Sequence, residues 1–190
     1  MTFTTLDPRT ALVVVDLQAG ILAMPVEPHP ADAVLARSAT LADAFRARDL
    51  PVVLVRVTAA PDGADAVPGR TDAPRGGARP EGWDVLSPDL HTAASDIVVT
   101  KRNWGAFYGT DLDLQLRRRG VTQVVLTGIA TSIGVESTAR AAQEHGYHVS
   151  LVTDAMGDRS AEDHRHSTER LFPRLGECGT TAQLLEILGD

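Results

Sequence analysis

Residues 124–140 read VVLTGIATSIGVESTAR and decide the fold. The stretch begins as an apolar, β-branched run, which predicts a buried strand. After Thr127-Gly128 the apolar residues recur at helical spacing, and they predict a helix that ends near His145-Gly146. A strand that turns sharply into a helix brings the turn to the carboxyl end of a sheet, where open α/β folds bind ligands. We call this turn, residues 128–135, the elbow. Its helix start offers free N–H groups and a positive dipole end to an anion.

Strand-like and helical patterns alternate along the whole chain. Short apolar runs predict strands at residues 11–16, 51–57, 96–100, 123–129, 147–153 and 176–179. Helical patterns lie at residues 31–48, 110–120, 160–171 and 180–188, and residues 17–30 are predicted to form a loop. Thr110 to Asp113 and Ser160 to Asp163 resemble helix-capping sequences. This alternation, without an internal repeat, predicts a single domain over residues 1–190 with a doubly wound parallel sheet covered on both faces.

Composition excludes several classes of protein. The chain has 190 residues, 43% of them hydrophobic, with a net charge of −7. This acidity argues against nucleic acid as a partner, and the single cysteine, Cys178, excludes an intramolecular disulfide and a cysteine-based zinc site. No signal-peptide pattern opens the chain, and no apolar run approaches the roughly 20 residues that span a bilayer. We therefore expect a cytoplasmic protein with no membrane partner.

Residues 58–90 differ from the rest of the chain. They contain five prolines, several glycines and the arginines Arg70, Arg75 and Arg79. A loop of this length inside a domain is unusual and often serves as a lid or a binding loop. A surface loop with scattered arginines explains the same composition equally well.

Two ionisable residues stand at strand ends. Asp16 ends the first predicted strand, and Lys101 follows the third. Because all carboxyl ends of a parallel sheet lie at one edge, both residues should meet the elbow there. A buried carboxylate beside an ammonium can act as a base, or as an acid once a ligand displaces water. Taken singly, each residue also fits a role without catalysis: Asp16 could be a turn residue, and Lys101 could be a solvated surface residue.

The order of the motifs resembles the isochorismatase-like, or cysteine hydrolase, family. The matching segments are VVVDLQ around Asp16, VVTKRNWGAFYGTDLD around Lys101, GIATSIGVESTARAA at the elbow and VTDAMGD after the fifth strand. The resemblance implies a three-layer α/β/α sandwich, Rossmann-like, on a six-stranded, mainly parallel sheet. It also implies that Asp16 and Lys101 are two members of the family's Asp-Lys-Cys triad, and that Gln18 binds substrate.

The resemblance also describes the elbow. It implies a cis peptide bond between Ile129 and Ala130 that directs backbone N–H groups at an oxyanion. Where most of the family has cysteine, this chain has Gly134, which cannot form a thioester. True isochorismatases also have glycine there, and they cleave a vinyl ether with the Asp as general acid. The proton goes to the vinyl carbon, and water captures the resulting oxocarbenium ion. Those enzymes carry a bulky aromatic residue where this chain has Ala130, so the substrate can differ.

We therefore predict a metal-free hydrolase for a small-molecule substrate, acting by acid–base chemistry at Asp16 and Lys101. Its substrate would be a vinyl ether such as isochorismate, or a related metabolite. Two alternatives stay open: a catalytically inactive binding homologue, and an amidase that uses water directly. The resemblance to this family also implies a homodimer or a higher homo-oligomer.

Four further side chains have roles that the sequence leaves open. Trp104 and Phe107 are flanked by glycines and could wall the pocket as substrate-binding residues or pack in the core. His164 and His166 are two apart on a predicted helix and should diverge, so we expect no metal and no cofactor.

Overall fold

The described residues form a six-stranded parallel sheet at the centre of the chain. This computed structural model describes residues 2–65, 70–72 and 79–189. The strands are β1 (Thr10–Val15), β2 (Val52–Val57), β3 (Ile97–Lys101), β4 (Gln123–Ile129), β5 (His148–Gly157) and β6 (Glu177–Gly179). Their order is β3-β2-β1-β4-β5-β6, and every neighbouring pair is parallel. The order reverses between β1 and β4, so a topological switch point lies at the carboxyl ends of these two strands.

Helices cover both faces of the sheet. They are α1 (Ala19–Leu22), α2 (Ala31–Arg46), α3 (Leu112–Arg118), α4 (Glu136–Glu144), α5 (Ala161–His166), α6 (Phe172–Leu175) and α7 (Thr181–Gly189). A turn of π-helix (Thr131–Val135) leads into α4, a second (Ser167–Leu171) joins α5 to α6, and a 3-10 turn (Pro88–Leu90) precedes β3. The predicted three-layer α/β/α fold is confirmed. Within the described residues, no helix combines the length and the apolar character needed to cross a membrane.

The core consists of two layers, one on each face of the sheet. Every residue of β1 is buried, and its side chains alternate between the layers. Leu12 and Val14 pack with α2 and α7, whereas Val13 and Val15 pack with α3, α4 and α6. A strand buried on both faces needs apolar residues throughout, which is why these strands appear as continuous apolar runs in the sequence.

Strand ends differ slightly from the predicted ones. The predicted bounds of β4 are confirmed, but Asp16 lies just beyond β1, and Lys101 is the last residue of β3. The prediction for β5 was too short, because this strand continues to Gly157 through polar residues that hide its end in the sequence. The predicted loop at residues 17–30 contains the short helix α1.

Helix caps give a mixed result. The capping box predicted at Thr110 is wrong, because the side chain of the N-cap residue Asp111 makes no cap hydrogen bond. The Thr110 hydroxyl instead accepts the Leu112 N–H at 3.2 Å. Ser160 does cap α5, since its hydroxyl accepts the Asp163 N–H at 3.3 Å.

Several contacts hold the described parts of the long loop at residues 58–90 to the body of the protein. Asp65 forms an ion pair with Arg102, just beyond β3. Nearer its end, the loop bonds to residues 17–20: the Ala19 N–H donates to Val85 O at 2.8 Å, and the Ser87 N–H donates to Leu17 O at 3.0 Å. Arg75 lies outside the described residues.

Candidate active site

Asp16 and Lys101 form a buried ion pair at the carboxyl edge of the sheet. Asp16 Oδ2 lies 2.7 Å from Lys101 Nζ, and the two side chains are only 6% and 2% exposed. Asp16 follows β1 with a φ of 56°, in the left-handed region that Asp adopts more readily than most residues. Lys101 belongs to β3, two strands away, and its long side chain spans the distance across β2. The predicted convergence of these two residues is present in the structure.

The Lys101 ammonium group has three donors, and each has an acceptor. Besides Asp16, Nζ donates to Trp104 O at 2.7 Å and to Asn103 O at 3.3 Å. Because an ammonium carries three protons and no lone pair, these bonds use its whole capacity. The loop that follows β3 therefore fixes the position of the charge beside Asp16.

The second oxygen of Asp16 is different. Oδ1 is buried and has no hydrogen-bond partner among the described residues. Burial raises the pKa of Asp16 to about 6 by desolvating the carboxylate, while the positive charges of Lys101 and Arg79 act in the opposite direction. A buried oxygen without a partner is costly, and it is free to hold a proton or to bind a ligand. This carboxyl group can therefore change protonation state near neutral pH.

The elbow packs directly against this pair. A Cβ atom added at Gly134 would lie 3.3 Å from Asp16 Oδ2, 3.6 Å from Lys101 Nζ and 3.0 Å from Val15 Cγ1. Gly128, which starts the elbow, has a φ of 123°, and a Cβ there would lie 2.1 Å from Val15 O. Only glycine fits such a conformation and such a close approach to β1. The predicted meeting of elbow, carboxylate and ammonium is thus found in the structure.

The elbow contains the cis peptide bond that the resemblance implied. The peptide bond between Ile129 and Ala130 is cis. Ala130 O accepts the N–H groups of Ile133 and Val135 at 3.2 and 3.1 Å. The Ser132 N–H donates to Asp158 Oδ2 at 2.6 Å. This donor is therefore already engaged by a side chain and is not free for a ligand.

Asp158 is a site residue that sequence reasoning missed. It directly follows β5, its side chain is buried, and its carboxylate accepts the Ser132 N–H at the elbow. The signal in the sequence was VTDAMGD, of which Asp158 is the last residue. In the sequence this motif indicates only the family resemblance, because a carboxylate after a strand has no partner that the sequence can identify.

The structure does not support direct contact between Gln18 and a substrate. The side chain of Gln18 is fully buried. Its Nε2 donates to Val57 O at 2.9 Å and to Trp83 O at 3.3 Å, and its Oε1 accepts the Val57 N–H at 2.8 Å. Gln18 therefore joins the end of β2 to the long loop, a structural role that the strand-end pattern did not indicate.

The two aromatic residues near Lys101 lie in different environments. Phe107 is buried in the core, with its ring 5.1 Å from that of His145 and 5.9 Å from that of Tyr147. For Phe107 the core-packing alternative is therefore correct. Trp104 is 69% exposed, although its carbonyl oxygen accepts a hydrogen bond from Lys101. Its side chain is available at the surface next to the pair.

A second cation stands near the site. The guanidinium of Arg79 stacks on the ring of Trp83, 4.0 Å from its centroid. Trp83 is fixed in turn, because the Gly20 N–H donates to its carbonyl at 2.9 Å and its ring occupies the space where a Cβ of Gly20 would lie. Arg79 is close enough for its charge to lower the pKa of Asp16. In the sequence Arg79 was one of several arginines in the long loop, and its position became clear only from the structure.

No group of three or more His, Cys, Asp or Glu residues in the described parts of the chain could hold a metal ion. His164 is buried and His166 is exposed, so these two side chains diverge as predicted. The absence of a metal and of a cofactor stays a prediction.

Comparisons with known proteins agree with this architecture. The isochorismatase domain model matches residues 10–183. The chain is 48% identical over 180 residues to YecD, an uncharacterized isochorismatase family protein of Escherichia coli O157:H7, covering 94% of this chain and 96% of YecD. It is 46% identical over 181 residues to YwoC, an uncharacterized isochorismatase family protein of Bacillus subtilis, covering 94% and 93%. A solved structure of an isochorismatase family protein from Burkholderia thailandensis superposes with a TM-score of 0.95 at 48% identity, covering 98% of each chain. Together with the strand order and the elbow, these matches show that the chain belongs to the isochorismatase family of hydrolases.

Proposed function

We propose that this protein hydrolyses a vinyl ether, such as isochorismate or a related metabolite, by acid–base chemistry at Asp16 and Lys101. Neither a cysteine nucleophile nor a metal takes part in the proposed reaction. The observation that carries the proposal is the state of Asp16: one oxygen is bonded to Lys101, and the other is buried without a partner. Such a carboxyl group is suited to donate a proton inside the pocket.

The pKa of Asp16 supports a role as a general acid. Burial raises it to about 6, so that about a tenth of the groups carry a proton at pH 7. General acids work best when their pKa lies near the working pH. The Lys101 ammonium lies 2.7 Å from the same carboxyl group and stabilises the anion that remains once the proton has left.

The proposed reaction takes place in three steps. First, the Asp16 proton moves to the terminal carbon of the vinyl ether, whose double-bond electrons form the new C–H bond and leave an oxocarbenium ion. Second, water adds to the cationic carbon and gives a proton to the Asp16 carboxylate, which restores the acid. Third, the hemiketal collapses: the bond to the ether oxygen breaks, that oxygen takes the hydroxyl proton, and a ketone and an alcohol leave.

Gly134 supports this route, because the resemblance of the elbow sequence implies that most of the family has cysteine at this position. A glycine there cannot form a covalent intermediate with the substrate. The chain's one cysteine does not replace it, because Cys178 lies on β6, separated from β1 by two other strands. Burial also raises the pKa of that thiol to about 11, which keeps it protonated and unreactive.

Product formation tests the proposal directly. Hydrolysis of the enolpyruvyl ether of isochorismate releases pyruvate, which a lactate dehydrogenase assay detects. We expect turnover with the wild-type protein and a loss of about 100-fold or more in Asp16→Asn, the range by which general acids contribute. The matched control is Asp96→Asn, because Asp96 is also buried and ion-paired, 2.8 Å from Arg46, but precedes β3. Its removal should leave kcat nearly unchanged.

The alternatives give different results in the same assay. An amidase would release ammonia from ureido or N-carbamoyl substrates and no pyruvate from isochorismate. An inactive homologue would bind isochorismate saturably and release neither product. Turnover of isochorismate that survives unchanged in Asp16→Asn would refute the assigned chemistry.

A further inference from the structure

Next to the elbow lies a group of four polar side chains, three of them buried, that the proposed reaction does not use. Thr131, the first residue of the π-helical turn, is fully buried. Its hydroxyl lies 3.0 Å from Gly157 O and 2.9 Å from His164 Nδ1. The rings of His29 and His164 form a T-shaped contact with their centroids 5.5 Å apart. Asp158 completes the group through its bond to the Ser132 N–H. We call these four side chains the elbow support: Thr131, His164, His29 and Asp158.

The hydrogen atoms of this group can be assigned from its geometry. The Thr131 hydroxyl has one proton, and Gly157 O can only accept, so the hydroxyl donates to that carbonyl. The hydroxyl must then accept from His164, which therefore carries its proton on Nδ1. Burial lowers the pKa of His164, so the ring is neutral at neutral pH, in agreement with this tautomer. Only this placement of the two hydrogen atoms satisfies both hydrogen bonds of the Thr131 hydroxyl.

The elbow support joins the start of the elbow to the neighbouring strand and helix. Thr131, the second residue after the cis peptide bond, ties the elbow to the end of β5 and to α5. The end of the elbow is held by Thr138, whose hydroxyl donates to Gly134 O at 2.6 Å and accepts the Ala106 N–H at 3.0 Å. These two bonds tie the elbow to the loop after Lys101. Gly134 therefore lies between two sets of buried hydrogen bonds.

We propose that Thr131 and His164 are positioning residues, which hold the start of the elbow helix in register with Asp16 and Lys101. The inference rests on the proposed function, because it concerns the same site. Neither residue is placed in contact with the substrate. A threonine used only for stability would affect unfolding and leave the electrostatic environment at Gly134 unchanged. A positioning threonine affects that environment, since displacement by about 1 Å is enough to change reactivity strongly.

A thiol introduced at the elbow reports this environment without any substrate. In Gly134→Cys, the thiol would lie at a helix start beside Lys101, and its pKa should fall below the free value of about 8.5. The apparent pKa is read from the pH dependence of iodoacetamide labelling, with mass spectrometry separating this site from Cys178. In the same background, Thr131→Val removes the hydroxyl at constant shape, whereas Thr131→Ser retains it.

Thr10→Val is the matched control. Thr10 is also fully buried, and its hydroxyl has two partners, Asp7 O and Gln123 Oε1, each at 2.7 Å. It lies at the amino end of β1, far from the elbow along the strand. We expect Thr131→Val to raise the thiol pKa by about half a unit or more, toward the free value. Thr131→Ser and Thr10→Val should leave it within about 0.2 units on the same scale.

His164 gives a second comparison. His164→Asn keeps a donor close to the place of Nδ1 and should retain the lowered thiol pKa, whereas His164→Leu should raise it as Thr131→Val does. An unchanged, lowered thiol pKa in both Thr131→Val and His164→Leu would overturn the inference and leave the proposed site intact. A free-like thiol pKa in the folded Gly134→Cys protein itself would overturn the proposed site, and the inference with it.

Hydrogen exchange decides the question if Gly134→Cys does not fold. With Gly134 retained, exchange of the amides in residues 131–135 should be faster in Thr131→Val than in Thr10→Val, compared at equal free energy of unfolding. Equal exchange of these amides in the two variants would overturn the inference.

Discussion

The most direct test of the site is the titration of Asp16. Burial raises its pKa from 3.8 to about 6, a difference of about 2 units. At about 1.36 kcal/mol per unit, the buried carboxylate costs the folded state about 3 kcal/mol at pH 7. Because the folded pKa is the higher one, the folded protein binds more protons than the unfolded chain between about pH 4 and pH 6. This contribution to stability is complete below about pH 4 and is lost as the pH rises through about 6.

Two measurements check this prediction. Carbon-13 NMR of the aspartate carboxyl groups should show one resonance that titrates near pH 6 and is missing in Asp16→Asn. Lys101→Met should raise the pKa of Asp16 further, because it removes the ammonium 2.7 Å away that favours the carboxylate. Arg46→Met, which breaks the other buried pair at Asp96, should leave the titration of Asp16 unchanged.

Urea denaturation measures the corresponding change in the free energy of unfolding. From pH 4 to pH 7 the wild-type protein should lose about 3 kcal/mol more stability than Asp16→Asn/Lys101→Met, which has neither ionisable group. The double variant is the proper reference, because Asp16→Asn alone would leave the buried Lys101 ammonium without its carboxylate partner. An Asp16 resonance that titrates near pH 4, or a pKa that falls in Lys101→Met, would refute the reasoning.

Three further predictions concern neighbouring residues. Gly128→Ala should destabilise the protein by about 3 kcal/mol or more in urea denaturation, because the new Cβ would lie 2.1 Å from Val15 O at a φ of 123°; a loss below about 1 kcal/mol would contradict this close approach. Trp104→Ala should lower Tm by no more than about 2 °C, since this side chain is 69% exposed, and should raise KM if the ring walls the pocket; a large fall in Tm with unchanged KM would place the ring in the core. Arg79→Met should raise the pKa of Asp16 in the NMR titration, because a positive charge that lowers this pKa is lost; an unchanged titration would show that Arg79 does not reach the site.

Local sequence pattern determined where the site lies in the fold. The apolar runs before Asp16 and Lys101, and the strand-to-helix break at Gly128, each predict a strand end. Parallel strands share one carboxyl edge, so the pattern alone predicts that these residues lie close together. The structure confirms this, because Asp16, Lys101 and the elbow are in contact at that edge. The strand ends could be predicted because a strand buried on both faces must be apolar along its length, and such an apolar run is visible in the sequence.

Tertiary structure alone decided which polar groups meet. Gln18 stands two residues after Asp16 in the chain, yet its amide bonds to backbone groups of residues 57 and 83. Thr131 and His164 looked unrelated in the sequence but share a buried hydrogen bond at the elbow. Trp104 and Phe107 have similar sequence surroundings, and one ring is exposed while the other is buried. A hydrogen bond between distant side chains requires that the donor–acceptor distance be right to within a few tenths of an ångström. Only the packing of the helices and strands sets that distance. The burial pattern, in contrast, depends on the order of residue types along the chain, which the sequence displays.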